Sequence, residues 1–203
     1  MTEPVKESAT ILDATAGNRT LWKTKEDSRI LWIDIEPELS FKPDLLLDCT
    51  DTKFEDKRFN LIIFDPPHEW GREKNETLFT TPNEEIAKKN WSERGHPRYY
   101  GADKYKTGED LISFIFKAEK EFSRILNDNG VLFIKWSNIR IVFDKFSEIF
   151  SKWNLMIKIP TKKTDLSGNQ TYWFMFMKKV GNPIISESIN TIISKKETSL
   201  EMF

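Results

Sequence analysis

Four aspartates, Asp13, Asp34, Asp48 and Asp65, each close a short apolar run, and the last of them has the most chemically specific surroundings. The run Phe59-Asn60-Leu61-Ile62-Ile63-Phe64 stops on Asp65-Pro66-Pro67-His68. Such a run bounded by proline predicts a strand buried on both faces, as in a parallel sheet. Two successive prolines cannot donate to a sheet ladder and hold φ fixed. The backbone therefore leaves the sheet rigidly, with the Pro66 carbonyl unpaired beside the Asp65 carboxylate. Ligands of open α/β sheets bind at this carboxyl edge. A carboxylate and a carbonyl pointing the same way accept two hydrogens from one amino group, and His68 adds a flat ring for stacking. The constellation suits an exocyclic amine on a planar base. Taken alone, Asp-Pro-Pro reads equally well as a strand followed by a turn, so the elements around it must decide.

The first strand, residues 9–13, ends on Asp13 and runs into Ala14-Thr15-Ala16-Gly17. Small residues let a turn pass close under a ligand, and glycine tolerates positive φ. No G-x-G-x-x-G and no Gly-Lys-Ser/Thr is present, which disfavours pyrophosphate cradles. A second strand, 29–33, ends on Asp34, at the spacing where an acid accepts both ribose hydroxyls of an adenosine. Residues 43–48 form a third short strand ending on Asp48, with Cys49 leading away. Four parallel strands thus align four carboxylates along one edge. Uncompensated carboxylates repel, so donors belong among them: an amino-acid ammonium, ribose hydroxyls, an adenine amine and a substrate amine.

Residues 69–110 are the least regular stretch. Trp70-Gly71-Arg72, and then Trp91, Arg94, Arg98, Tyr99 and Tyr100, interleave aromatics with arginines over the expected substrate side. Arginine for phosphate and aromatics for stacking make a single-strand nucleic-acid surface; the competing reading is a lid with packing aromatics. From Asp110, the apolar positions Leu111, Phe114, Ile115, Ala118, Phe122 and Ile125 predict a helix that Asn127-Asp128-Asn129-Gly130 terminates. A fifth strand, 131–134, runs into Lys135 and Trp136, both candidates for the substrate pocket, although packing also accounts for Trp136. A helix over 143–150 precedes an antiparallel pair, 155–159 and 172–177. Residues 181–203 are weakly patterned and read as a loose tail.

At 203 residues, 31% charged and 38% hydrophobic, one α/β domain is expected. No apolar run approaches the ~18 residues of a membrane span, and nothing resembles a signal peptide, so the expected location is cytoplasmic, away from membranes. One cysteine excludes an internal disulfide, and two histidines without clustered thiols argue against a zinc site. The net charge of −1 hides an asymmetry: residues 1–70 carry 9 Lys/Arg against 15 Asp/Glu, residues 135–180 carry 9 against 3. The basic part is compatible with a phosphate backbone as partner or with an ordinary solvated surface.

From Ile11 to Lys179 the chain resembles the class I S-adenosylmethionine-dependent methyltransferases, carried by Asp13-Ala14-Thr15-Ala16-Gly17, Asp34-Ile35, Asp48-Cys49-Thr50-Asp51 and Asp65-Pro66-Pro67-His68. Within that class it is similar to amino-methyltransferases with an Asp/Asn-Pro-Pro-aromatic motif, and in particular to small phage- and archaeal-type members. The resemblance implies a Rossmann-like seven-stranded α/β sheet, mostly parallel with an antiparallel C-terminal strand, in a single domain over 1–180 with an insertion at 69–110. It also implies S-adenosylmethionine as cofactor: Asp13, Ala14 and Gly17 would cradle its methionine part, Asp34 the ribose, and Asp48 the adenine amine with the Cys49 backbone nearby. Asp65, Pro66, Pro67 and His68 would form the catalytic loop. The departures are a single glycine in the first turn, His68 where Tyr, Phe or Trp is usual, and about eight residues before the first strand.

The implied function is methyl transfer to an exocyclic amino nitrogen of a nucleic-acid base, adenine N6 or cytosine N4, in DNA or RNA. The base would be single-stranded or flipped out, with a partner subunit for target recognition as an option. The alternatives are a methyltransferase for a free nucleotide or other small amine, and a non-catalytic cofactor-binding subunit. The intact Asp65-Pro66-Pro67 argues against the last.

Overall fold

The computed structural model describes residues 6–68, 70, 104–138, 141–161 and 170–179. Seven strands form one sheet: β1 (Ile11–Asp13), β2 (Ile30–Asp34), β3 (Leu45–Leu46), β4 (Phe59–Phe64), β5 (Leu126–Ser137), β6 (Trp153–Pro160) and β7 (Thr171–Lys178). Their order is β3-β2-β1-β4-β5-β7-β6. The pairs from β3 to β5 are parallel, and β7 lies antiparallel to both β5 and β6. This is the expected mostly parallel sheet with its antiparallel C-terminal pair. The order reverses at β1 and β4, which leave the sheet side by side.

Burial explains the strand sequences. Ile30 to Ile33 in β2 and Ile62 to Phe64 in β4 are all buried, as continuous apolar runs in a parallel sheet require. Two helices are present among the described residues. The helix α1 (Gly108–Ile125) opens on a capping box between Thr107 and Asp110, which satisfies two otherwise orphaned donors. It lays Leu111, Ile115, Ala118, Phe122 and Ile125 on the sheet, with Phe122 edge-on to Phe64 at 4.9 Å. The short α2 (Phe143–Ile149) stacks Phe146 on Trp136 at 4.2 Å.

The connections between β1 and β4 contain no helix, and a side chain ties two of them together. Arg19, only 8% exposed, lies over the Trp32 ring at 4.0 Å. It donates to the Lys25 carbonyl at 2.5 Å and the Lys42 carbonyl at 2.6 Å. The planar guanidinium fork suits two acceptors and an aromatic face at once.

Two boundaries differ from expectation. β5 begins at Leu126, so Asn127-Asp128-Asn129-Gly130 forms its irregular entry rather than a turn outside it. The α1 cap residue Leu126 is already extended, at ψ 137°, and pairs with Phe59 before the register shifts. The Asn127 side chain then bonds that of Asn60. At Gly130 a Cβ would stand 2.6 Å from the Leu126 side chain, so this entry needs glycine. At the opposite edge, regular pairing in the third strand covers only Leu45 and Leu46.

Candidate active site

The turn after β1 is held by the acids around it. Ala14 N–H bonds the Ile63 carbonyl at 2.9 Å and Ala16 N–H the Ile33 carbonyl at 3.0 Å, so the turn grips both neighbouring strands. Asp13 is fully buried and accepts from Trp22 Nε1 at 2.7 Å and from Thr15 N–H at 3.3 Å. Burial pushes its carboxyl up to about 6, against the opposing pull of those two hydrogen bonds. Gly17 has φ +48°, and a Cβ there would meet nothing within 4 Å. The glycine therefore serves the left-handed conformation, and the space beside it stays open.

Asp34 faces this turn, accepting Gly17 N–H on Oδ2 at 2.8 Å and Glu36 N–H on Oδ1 at 2.9 Å. A carboxylate offers about four lone-pair sites, so each oxygen keeps acceptor capacity. Asp48, on the exposed side, holds an Asx turn through Thr50 N–H at 2.9 Å and Thr50 Oγ at 2.8 Å, both on Oδ1. Next to it Cys49 is buried, and burial raises its thiol pKa, so Cys49 is an uncharged packing residue.

Asp65 leaves β4 at the same edge. Its N–H donates to Thr15 Oγ at 2.8 Å, a direct link between the first turn and the Asp-Pro-Pro loop. Its Oδ2 receives Lys135 Nζ at 2.7 Å, a pairing set by the β4–β5 register, which aligns Phe64 with Ile134. The Pro66 carbonyl, expected to be unpaired, lies close enough to the His68 ring to favour its protonated form. Burial holds His68 below the usual imidazole range, the Asp65 charge opposes this, and Lys135 adds to it. His68 is thus neutral near pH 7. Its ring stands edge-on to Trp136 at 6.5 Å.

Two aromatics weighed between packing and a substrate surface both pack. Trp136 is fully buried, stacked on Phe146 and bonded through Nε1 to the Ile141 carbonyl at 3.0 Å; it backs His68 from the core and presents no face to a substrate. Trp70, read above as part of an aromatic–arginine surface, is 2% exposed and packs in the main core. Arg94, Arg98 and Tyr99 lie outside the described residues.

Three residues of the site carry no signal strong enough to select them from the sequence. Thr15 looks like a small turn filler, and Trp22 sits in an unpatterned connection. Tyr105 precedes α1 in the irregular stretch. It is 6% exposed, yet among the described residues its hydroxyl has no hydrogen-bond partner; burial is the chief cause that raises its pKa, and Cys49 and Asp48 lie near enough to add to the rise. An orphaned buried hydroxyl costs free energy unless a further partner arrives.

No protein-family model and no curated protein matches the chain. Solved structures do. A TehB-like S-adenosylmethionine-dependent methyltransferase from Corynebacterium glutamicum superposes with a TM-score of 0.51 at 18% identity, over 85% of this chain and 82% of that one. The 1,6-didemethyltoxoflavin-N1-methyltransferase of Burkholderia thailandensis, with bound 1,6-didemethyltoxoflavin and S-adenosylhomocysteine, superposes with a TM-score of 0.50 at 9% identity, over 88% of this chain and 78% of that one. With its strand order and antiparallel β7, the chain has the fold of the S-adenosylmethionine-dependent methyltransferases.

Proposed function

We propose that the protein is an S-adenosylmethionine-dependent N-methyltransferase acting on an exocyclic amino nitrogen of a nucleic-acid base, adenine N6 or cytosine N4. The observation that carries this reading is the junction of Thr15 and Asp65: a cofactor-type turn and an amine-accepting loop joined at 2.8 Å where the strand order reverses.

The residues fit the cofactor. Gly17 leaves open space over the first turn, Asp34 retains lone pairs for ribose hydroxyls, and the orphaned Tyr105 hydroxyl beside Asp48 and Cys49 offers an adenine a buried partner. Asp13, with one oxygen engaged by Thr15 of the turn and the other by Trp22, would act by shaping the turn. When bound, S-adenosylmethionine supplies an electrophilic methyl group on sulfonium. The chain orients the amine: Asp65 Oδ1 and the second lone pair of the Pro66 carbonyl accept its two hydrogens, which concentrates the nitrogen lone pair toward the methyl carbon. Most of the acceleration then comes from positioning and preplaced charge.

A free nucleotide or small heteroaromatic is the second reading. The excess of acid over residues 1–70, which include all four strand-end aspartates, favours it, since a polyphosphate backbone would be repelled from that edge. The Burkholderia neighbour is named for a small heteroaromatic substrate.

The deciding experiment incubates the protein with labelled S-adenosylmethionine and separate panels of DNA, RNA and nucleotides, then identifies the modified nucleoside. Asp65→Ala is expected to lower kcat roughly 100-fold or more with cofactor affinity nearly unchanged. Asp65→Asn, which keeps an acceptor oxygen, retains more. A wild type that shows no cofactor binding by calorimetry overturns the proposal.

A further inference from the structure

The Lys135–Asp65 ion pair carries a consequence for substrate class that rests on the methyl-transfer reading above. Asp65 closes β4 and Lys135 lies beside it on β5, their charges 2.7 Å apart, with side chains 22% and 31% exposed. The pair thus faces the site edge and is not sealed in the core. Among the described residues, His68 also faces both charges, its pKa lowered chiefly by burial, and Asp13 faces the Asp65 carboxylate. The Asp65 carboxylate, read from the sequence as uncompensated, is instead balanced by one lysine charge.

That balance matters because two kinds of amine differ at this point. A heteroaromatic amine is uncharged and keeps its nitrogen lone pair. An alkylamine arrives at neutral pH as an ammonium ion whose lone pair is occupied by a proton. A lone carboxylate at the strand end would attract the ammonium; a carboxylate already neutralised by a lysine does not. Lys135 also leaves the geometry for a neutral amine intact, since it takes Oδ2, and among the described residues no hydrogen bond reaches Oδ1.

We infer that Lys135 is a specificity-determining residue, which pairs with Asp65 so that the site accepts uncharged heteroaromatic amines and rejects alkylammonium ions. In the transfer itself the amine lone pair forms the new N–C bond as the C–S bond breaks and its electron pair leaves with sulfur. The proton then in excess on nitrogen departs past Asp65 Oδ1 to water. Lys135, already carrying its proton, takes no part in that departure.

The test reads binding, independently of turnover. Wild type, Lys135→Met, Lys135→Gln and Lys135→Arg, each saturated with S-adenosylhomocysteine and checked for folding by thermal melting, are titrated near neutral pH with butylamine and putrescine as ammonium probes and with adenosine and cytidine as neutral ones. Saturation-transfer NMR detects even weak binding. Removing the lysine charge in either neutral variant is expected to tighten ammonium binding about tenfold or more. Lys135→Arg keeps the wild-type preference. Unchanged ammonium affinity in both folded neutral variants overturns the inference, as does a wild type that prefers putrescine to adenosine. Either result leaves the methyl-transfer reading standing if the wild type still methylates a base. Loss of cofactor binding in the wild type would instead remove that reading and this inference together.

Discussion

Asp13 illustrates how a single side chain ties the site to the stability of the fold. Its carboxyl is raised from 3.8 to about 6, chiefly by burial, with Trp22 and Thr15 pulling the other way and the charges of Asp65 and Asp34 adding to the rise. The native state therefore holds this proton more tightly than the unfolded chain. Its contribution is fully present below about pH 4, declines as pH rises, and is gone above about pH 6, a swing of roughly 3 kcal/mol from a shift of about two units. Wild type should lose more unfolding free energy between those limits than Asp13→Asn, measured by urea denaturation across the range. Equal losses would mean that Asp13 titrates normally in the native state. At this scale the acids were legible in the sequence because each closes an apolar run. Their partners were not: the Thr15 hydroxyl, the Trp22 indole and Lys135 reach them through space, and no sequence spacing encodes a hydrogen bond across 70 residues.

The elements divide by what specifies them. β2 and β4, with continuous apolar runs, and the β6–β7 pair are legible because burial dictates their composition. The start of β5 is not, since Asn-Asp-Asn-Gly has turn chemistry and only the pairing of Leu126 with Phe59 draws it into the sheet. Nor is the helix-free character of the crossovers, where Arg19 bridges the Lys25 and Lys42 carbonyls. Arg19→Lys should lower stability by about 2 kcal/mol, because an ammonium lacks the planar fork that reaches the Lys25 and Lys42 carbonyls from the Trp32 face, and a charged hydrogen bond is worth about that much. A shift in urea midpoint with unchanged slope is the expected signature. An unchanged midpoint would show the fork to be dispensable and the loops self-supporting.

Across the whole molecule, stability and function lie on opposite halves of one sheet. β5, β7 and β6 pair over seven or more residues each and carry α2 with its stacked aromatics, while α1 also lies on Phe64 of β4. β3, β2, β1 and β4 carry the four strand-end acids on short strands joined by loops. β3 is the extreme, with two paired residues at the edge, immediately before Asp48 and Cys49. Local opening is easiest where few backbone bonds and little apolar surface must be given up. In amide hydrogen exchange, residues 45–50 should exchange fastest of all sheet-associated segments and β5 and β7 slowest. S-adenosylhomocysteine should slow exchange over 45–50 while leaving β7 unaffected, and uniform slowing of all strands would argue against this. On the proposed reading, with the adenine beside Asp48 and Cys49, this two-residue strand makes ligand capture and the last step of local folding one event, so the sheet is complete only when the nucleoside is in place.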